Sequence, residues 1–107
     1  MDELSPIIID LEKLKQNKLD ESFLAMFGFG IKKLLKTILG DVSIPVHLKG
    51  HPADVRSFLS TLGAEKNYIR DFKNFGLNNP RTYRSKSALD TAVGGFERKT
   101  GIKWPFR

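Results

Sequence analysis

Residues 20–40, DESFLAMFGFGIKKLLKTILG, decide the fold. Asp20 is a good N-cap, Glu21 places a negative charge in the first turn and Gly40 supplies a stop, so the stretch between them reads as one helix. Phe23, Leu24, Phe27, Ile31, Leu34, Leu35 and Ile38 fall on one wide face, while Lys32, Lys33 and Lys36 lie opposite, near Phe29. A helix resting on a membrane surface has the same pattern. In a chain of 107 residues, however, the other elements would have no core without this face, so it is read as the central core helix. Gly28 and Gly30 each cost about 1 kcal/mol relative to Ala inside a helix. Their presence points to close packing or a bend.

Upstream, Ser5-Pro6 opens an element in which Ile7, Ile8, Leu11 and Leu14 follow helical spacing to about Lys15. Helix is the favoured reading there, with a short strand over the β-branched Ile7-Ile8-Ile9 as the alternative. Downstream the period changes. Val42, Ile44, Val46 and Leu48 alternate with Ser43, Pro45, His47 and Lys49, the mark of a half-buried strand. Pro45 lacks an N–H and confines that strand to an edge. Gly50-His51-Pro52 turns into a third helix with Val55, Phe58, Leu59, Leu62, Ile69 and Phe72 as its stripe, breakable at Gly63 and stopped by Gly76. Asn78-Asn79-Pro80 through Arg84 reads as loop, and Ser85 or Ser87 as the cap of a last helix ending at Gly101. Phe27, Leu34, Phe58, Leu62 and Phe96 sit mid-stripe and are the expected core. The fold class is mainly α, or α+β with one short strand: a compact single domain, residues 1–107, of four to five helices.

A single strand cannot satisfy its own backbone, so the one at Ile44–Leu48 needs a partner. Ile7–Ile9, the tail Ile102–Phe106, or a strand of another chain are the candidates, the last making a homo-oligomer. Ile44, Val46, Leu48, Trp104 and Phe106 are accordingly the expected interface residues.

Charge is uneven. Residues 1–20 carry five acids and three lysines, a net of −2, whereas residues 81–107 carry seven cations and two acids, +5 out of +6 for the chain. Tyr83, Phe96, Trp104 and Phe106 are interleaved with those cations. Clustered cations with rings are what polyanion binding requires, counterion release supplying affinity and rings supplying stacking. Within the basic C-terminal segment 78–107, Arg81, Tyr83, Arg84, Lys86, Arg98, Lys99 and Lys103 are the candidate nucleic-acid contacts, phosphate-led and without sequence preference. The loop before the last helix is too long for a tight helix-turn-helix.

Catalytic signatures are missing. The chain has no Cys, hence no disulfide, thiolate metal site or thiol nucleophile. His47 and His51 have no acidic cluster beside them and read as a solvent-facing strand residue and a helix-start residue. Gly28-Phe29-Gly30 has neither the third Gly nor the Lys-Ser/Thr of a phosphate loop. No enzyme activity, metal or cofactor is expected. The acidic start lacks the positive region of a signal peptide, and Lys32, Lys33 and Lys36 interrupt the best apolar run, so no membrane span is expected.

Gly76-Leu77-Asn78-Asn79-Pro80-Arg81-Thr82-Tyr83-Arg84, followed by Phe96 through Phe106 (FERKTGIKWPF), resembles small uncharacterised proteins of tailed bacteriophages. The likeness covers the C-terminal third and, more loosely, the earlier strand-to-helix unit. It implies a viral accessory or virion-associated protein, in the host cytoplasm or the virion, and carries no activity onto particular residues. Two readings follow. The first is a non-enzymatic basic protein that contacts nucleic acid. The second is an assembly protein that works through protein–protein contacts or an acidic partner surface, with Phe29, Trp104 and Phe106 as anchors.

Overall fold

The computed structural model describes residues 6–40 and 45–106. The fold is mainly helical with a minimal sheet. The chain runs through strand β1 (Ile7–Asp10), helices α1 (Leu11–Gln16) and α2 (Glu21–Leu39), strand β2 (Val46–Lys49), and helices α3 (Pro52–Phe75) and α4 (Pro80–Thr100).

The first element is strand before it is helix. Ile7 and Ile9 are buried and Ile8 is exposed, a period of two that the β-branched triplet favours over a helical turn. Asp10 then ends the strand and caps α1, accepting from the Lys13 amide at 3.1 Å. β1 pairs with β2 in parallel, Ile7 opposite Val46 and Ile9 opposite Leu48, and the Ile7 amide donates to the Pro45 carbonyl at 2.8 Å. The partner of the second strand is therefore in the same chain, not in another copy. α1 and α2 form the crossover that a parallel pair requires.

The expected buried face of the second strand is corrected as well. Val46 is 37% exposed and Leu48 half-buried, so β2 does not bury an alternating face; Ile44 lies outside the described residues. The reason is that α2 packs on β1, whereas β2 is held chiefly by β1 and α1. A methyl group at Gly30 would lie 3.5 Å from Ile9 Cγ1, and one at Gly28 3.3 Å from Pro105 Cβ. Gly28 thus eases the close approach of the tail to α2, whereas a methyl at Gly30 would make ordinary van der Waals contact with β1.

α2 begins and ends where its signals stand. Asp20 accepts from the Ser22 and Phe23 amides, and the Gly40 amide closes on the Lys36 carbonyl. Phe27, Leu34, Phe58, Leu62 and Phe96 are all buried as expected. The ring at their centre is Trp104, 1% exposed, with centroids 5.5 Å from Phe96, 5.9 Å from Phe58 and 6.1 Å from Phe27. Trp104 is therefore a core residue, not an interface anchor, and Phe106 is half-buried beside it. Gly101, left-handed at φ 76°, turns the tail back under the helices so that Ile102 and Trp104 alternate inward. Trp104 donates from its amide to Glu97 and from its indole to the buried Glu65, both at 2.9 Å.

α3 is unbroken across Gly63. A side chain there would meet nothing within 4 Å. Gly63→Ala is expected to raise unfolding free energy in urea titrations by about 0.5–1 kcal/mol, the helix-propensity difference alone. A loss of stability would show that the site is not open.

α4 starts earlier than composition implies. Asn79 caps it by accepting from the Arg81 amide at 2.9 Å and Pro80 takes the first helical position, so Arg81–Arg84 is helix and not loop. Only Gly76–Asn79 separates α3 from α4. The two helices run antiparallel along their length: Ser85 hydrogen-bonds Asp71 near the turn, Thr61 bonds the Ala92 carbonyl midway, and Phe58 meets Phe96 further on. The connection is thus short. A helix-turn-helix is excluded by the antiparallel pairing, since that motif crosses its helices at roughly 90–120°.

Lys15 ties α1 to α3 through a 2.8 Å ion pair with the buried Asp54. The hydrogen bond to Asp54 and the charges of Asp54 and Glu12 outweigh desolvation and hold the ammonium above lysine's ordinary 10.5. A raised folded-state value means that the pair's stabilisation is complete below the unfolded lysine value and is lost as pH climbs through the folded one. Asp54→Asn is expected to lower Tm near neutral pH and to flatten the decline above pH 10.5. Identical alkaline slopes for the variant and its parent would refute this role.

Candidate nucleic-acid interface

Arg81, Tyr83, Arg84, Lys86, Arg98, Lys99 and Lys103 are all exposed, but they do not form one patch. Arg81, Tyr83 and Arg84 stand in the first turns of α4, at the closed end of the hairpin. Arg98 and Lys99 stand in its last turn, about 21–27 Å away at 1.5 Å per residue, with Lys103 beyond them in the tail. Lys86 forms an i,i+4 ion pair with Asp90 at 3.3 Å, which partly neutralises it.

Antiparallel pairing adds cations that the C-terminal charge count missed. Arg70 and Lys73, exposed near the end of α3, share the closed end with Arg81 and Arg84. The i, i+4, i+7 spacing of Lys66, Arg70 and Lys73 along α3 was the available signal. The closed end also carries rings. Arg81 lies over the Phe75 ring at 4.9 Å, Tyr83 Oη donates to Asn78 Oδ1 at 3.2 Å, and Phe72 and Leu77 are exposed nearby.

Carboxylates on the two helices are engaged by the fold. Between Pro52 and Thr100 there are nine cations and five acids. Asp54 pairs with Lys15, Glu65 and Glu97 accept from Trp104, Asp71 accepts from Ser85, and Asp90 pairs with Lys86. Asp54 and Glu65 are buried. The other three, Asp71, Asp90 and Glu97, keep their negative charge on the hairpin's surface.

His51 caps α3, its Nδ1 accepting from the Ala53 amide at 3.3 Å, and His47 is exposed on β2. Among the described residues no three His, Asp or Glu side chains converge as a metal site. Among them too, no helix is long and apolar enough to cross a membrane. The chain matches no protein-family model, no curated protein and no solved structure.

Proposed function

We propose that this is a non-enzymatic basic protein that contacts nucleic acid through the α3–α4 hairpin, led by its closed end. The observation that carries the reading is the division of charge on the hairpin: Asp54 and Glu65 are buried against structural partners while most of the cations and several rings face solvent. Phosphates would meet Arg81, Arg84, Arg70 and Lys73, and an unpaired base would find Phe75 or Tyr83 to stack on. Arg98, Lys99 and Lys103 would extend the track along α4. The C-terminal resemblance supports a phage accessory protein acting in the host cytoplasm or the virion. The test is fluorescence anisotropy with labelled duplex and single-stranded DNA and with RNA across a salt series. Steeply salt-dependent binding is expected, and no measurable affinity at low salt would end the reading.

A second reading, assembly through protein–protein contacts, keeps one observation. Ile8, Met26 and Phe29 are exposed and line one surface hollow, with Lys33 over the Phe29 ring at 5.0 Å. It has lost Trp104 to the core and the open strand to internal pairing. Size exclusion with light scattering decides: an oligomer dispersed by Phe29→Ser favours assembly, and a monomer at high concentration removes it.

A further inference from the structure

We infer that the groove between the C-terminal half of α2 and α3 receives an acidic amphipathic helix of a partner protein. The groove has a volume of about 740 Å³. Its floor is apolar: Leu35 and Leu39 from α2, Ile69 from α3 and Phe106 from the tail. Its rims are cationic, with Lys32 and Lys36 one turn apart on α2 and Lys73 opposite on α3. Glu65 also lines it, but this carboxylate is buried and held by the Trp104 indole.

Shape and charge select the occupant. Leu39 and all three lysines are exposed, so the trough cannot enclose most of a small amphiphile's surface, as a small-molecule pocket does. A membrane is flat and cannot reach Leu35 on the floor, which is nearly covered. A helix laid lengthwise meets both demands. Apolar residues at i, i+4 and i+7 would cover Leu39, Ile69 and Phe106, and carboxylates on both flanks would meet Lys32 and Lys36 on one rim and Lys73 on the other. Nucleic acid would satisfy the lysines but leave the aliphatic floor uncovered. This surface shares Lys73 with the proposed phosphate contacts and includes none of the cations of α4.

The test sorts a displayed library of ~15-residue helices, with acidic, neutral and basic flanks equally represented, against the full chain. Enrichment of helices with an apolar stripe and Asp or Glu on both sides is expected. A selected peptide lacking Trp should change the emission of Trp104, whose indole is bonded to the groove-lining Glu65. The double variant Lys32→Glu/Lys36→Glu, and separately Leu39→Asp, should each weaken the peptide by roughly tenfold or more while far-UV circular dichroism stays unchanged. If a variant unfolds, Lys32→Gln/Lys36→Gln replaces it with the same expected direction. No enrichment, enrichment of neutral or basic helices, or variants that bind as the parent does would overturn the inference. So would phosphatidylglycerol vesicles or single-stranded DNA binding in place of the peptide with the same sensitivity to these substitutions.

Discussion

Phe58→Ala should cost about 3–5 kcal/mol, the range for removing a buried phenyl ring, and domains of this size hold only about 5–15 kcal/mol in total. Phe58 is fully buried and touches three other rings: Phe27 at 5.9 Å, Trp104 at 5.9 Å and Phe96 at 6.3 Å between centroids. Helices α2, α3 and α4 and the tail each contribute one ring, so the cavity would open where all four segments meet and could not be closed by moving one of them. Urea unfolding followed by the emission of Trp104, the chain's one tryptophan, measures the loss directly. Phe29→Ala is the control. Phe29 is 62% exposed, and its removal should leave stability nearly unchanged. A loss at Phe58 no larger than that at Phe29 would overturn the core assignment.

Removing charge at the closed end of the hairpin should weaken nucleic-acid binding most. Each phosphate contact contributes about −0.9 to the log–log salt slope on duplex DNA. Arg81→Gln/Arg84→Gln is therefore expected to flatten the slope by close to two contacts' worth. Adding Lys86→Gln should contribute less than a further full contact, because Lys86 already spends part of its charge on Asp90. Arg98→Gln/Lys99→Gln at the far end of α4 should flatten the slope less than the closed-end pair, since the exposed rings Phe72, Phe75 and Tyr83 stand at the closed end. All these side chains are exposed, so Tm should hold through the series. A slope indifferent to the closed-end pair would move the interface elsewhere.

Much of the architecture was legible before folding because its signals are local. Asp20 and Gly40 bound α2 because a side-chain cap and a stop each act within one turn. The buried positions of α2, α3 and α4 follow from 3.6-residue periodicity. Two local signals were outweighed by others equally local: Asn79-Pro80 looks like loop by composition but is a cap and a first helical residue, and Ile7–Ile9 fits a helical stripe but alternates as a strand. The candidate site was legible only in its residue types. The chain displays Arg81 and Arg98 as one basic segment, yet α4 holds them apart as a rigid rod.

By itself, the sequence determined which residues are apolar enough to be buried, where each long helix begins or ends through its caps and glycines, and that the surface would be basic. These depend on side chains within a turn or two of one another. Tertiary structure alone decided that β1 and β2 pair within the chain, that Trp104 swings back after Gly101 into the core, and that Arg70 and Lys73 stand toward the same end of the hairpin as Arg81 and Arg84. Each of these joins residues distant along the chain, or, at the hairpin, depends on which faces of two helices meet. Which partners come together is set by the burial of the whole aromatic core and by the backbone pairing it permits, a property of no single segment.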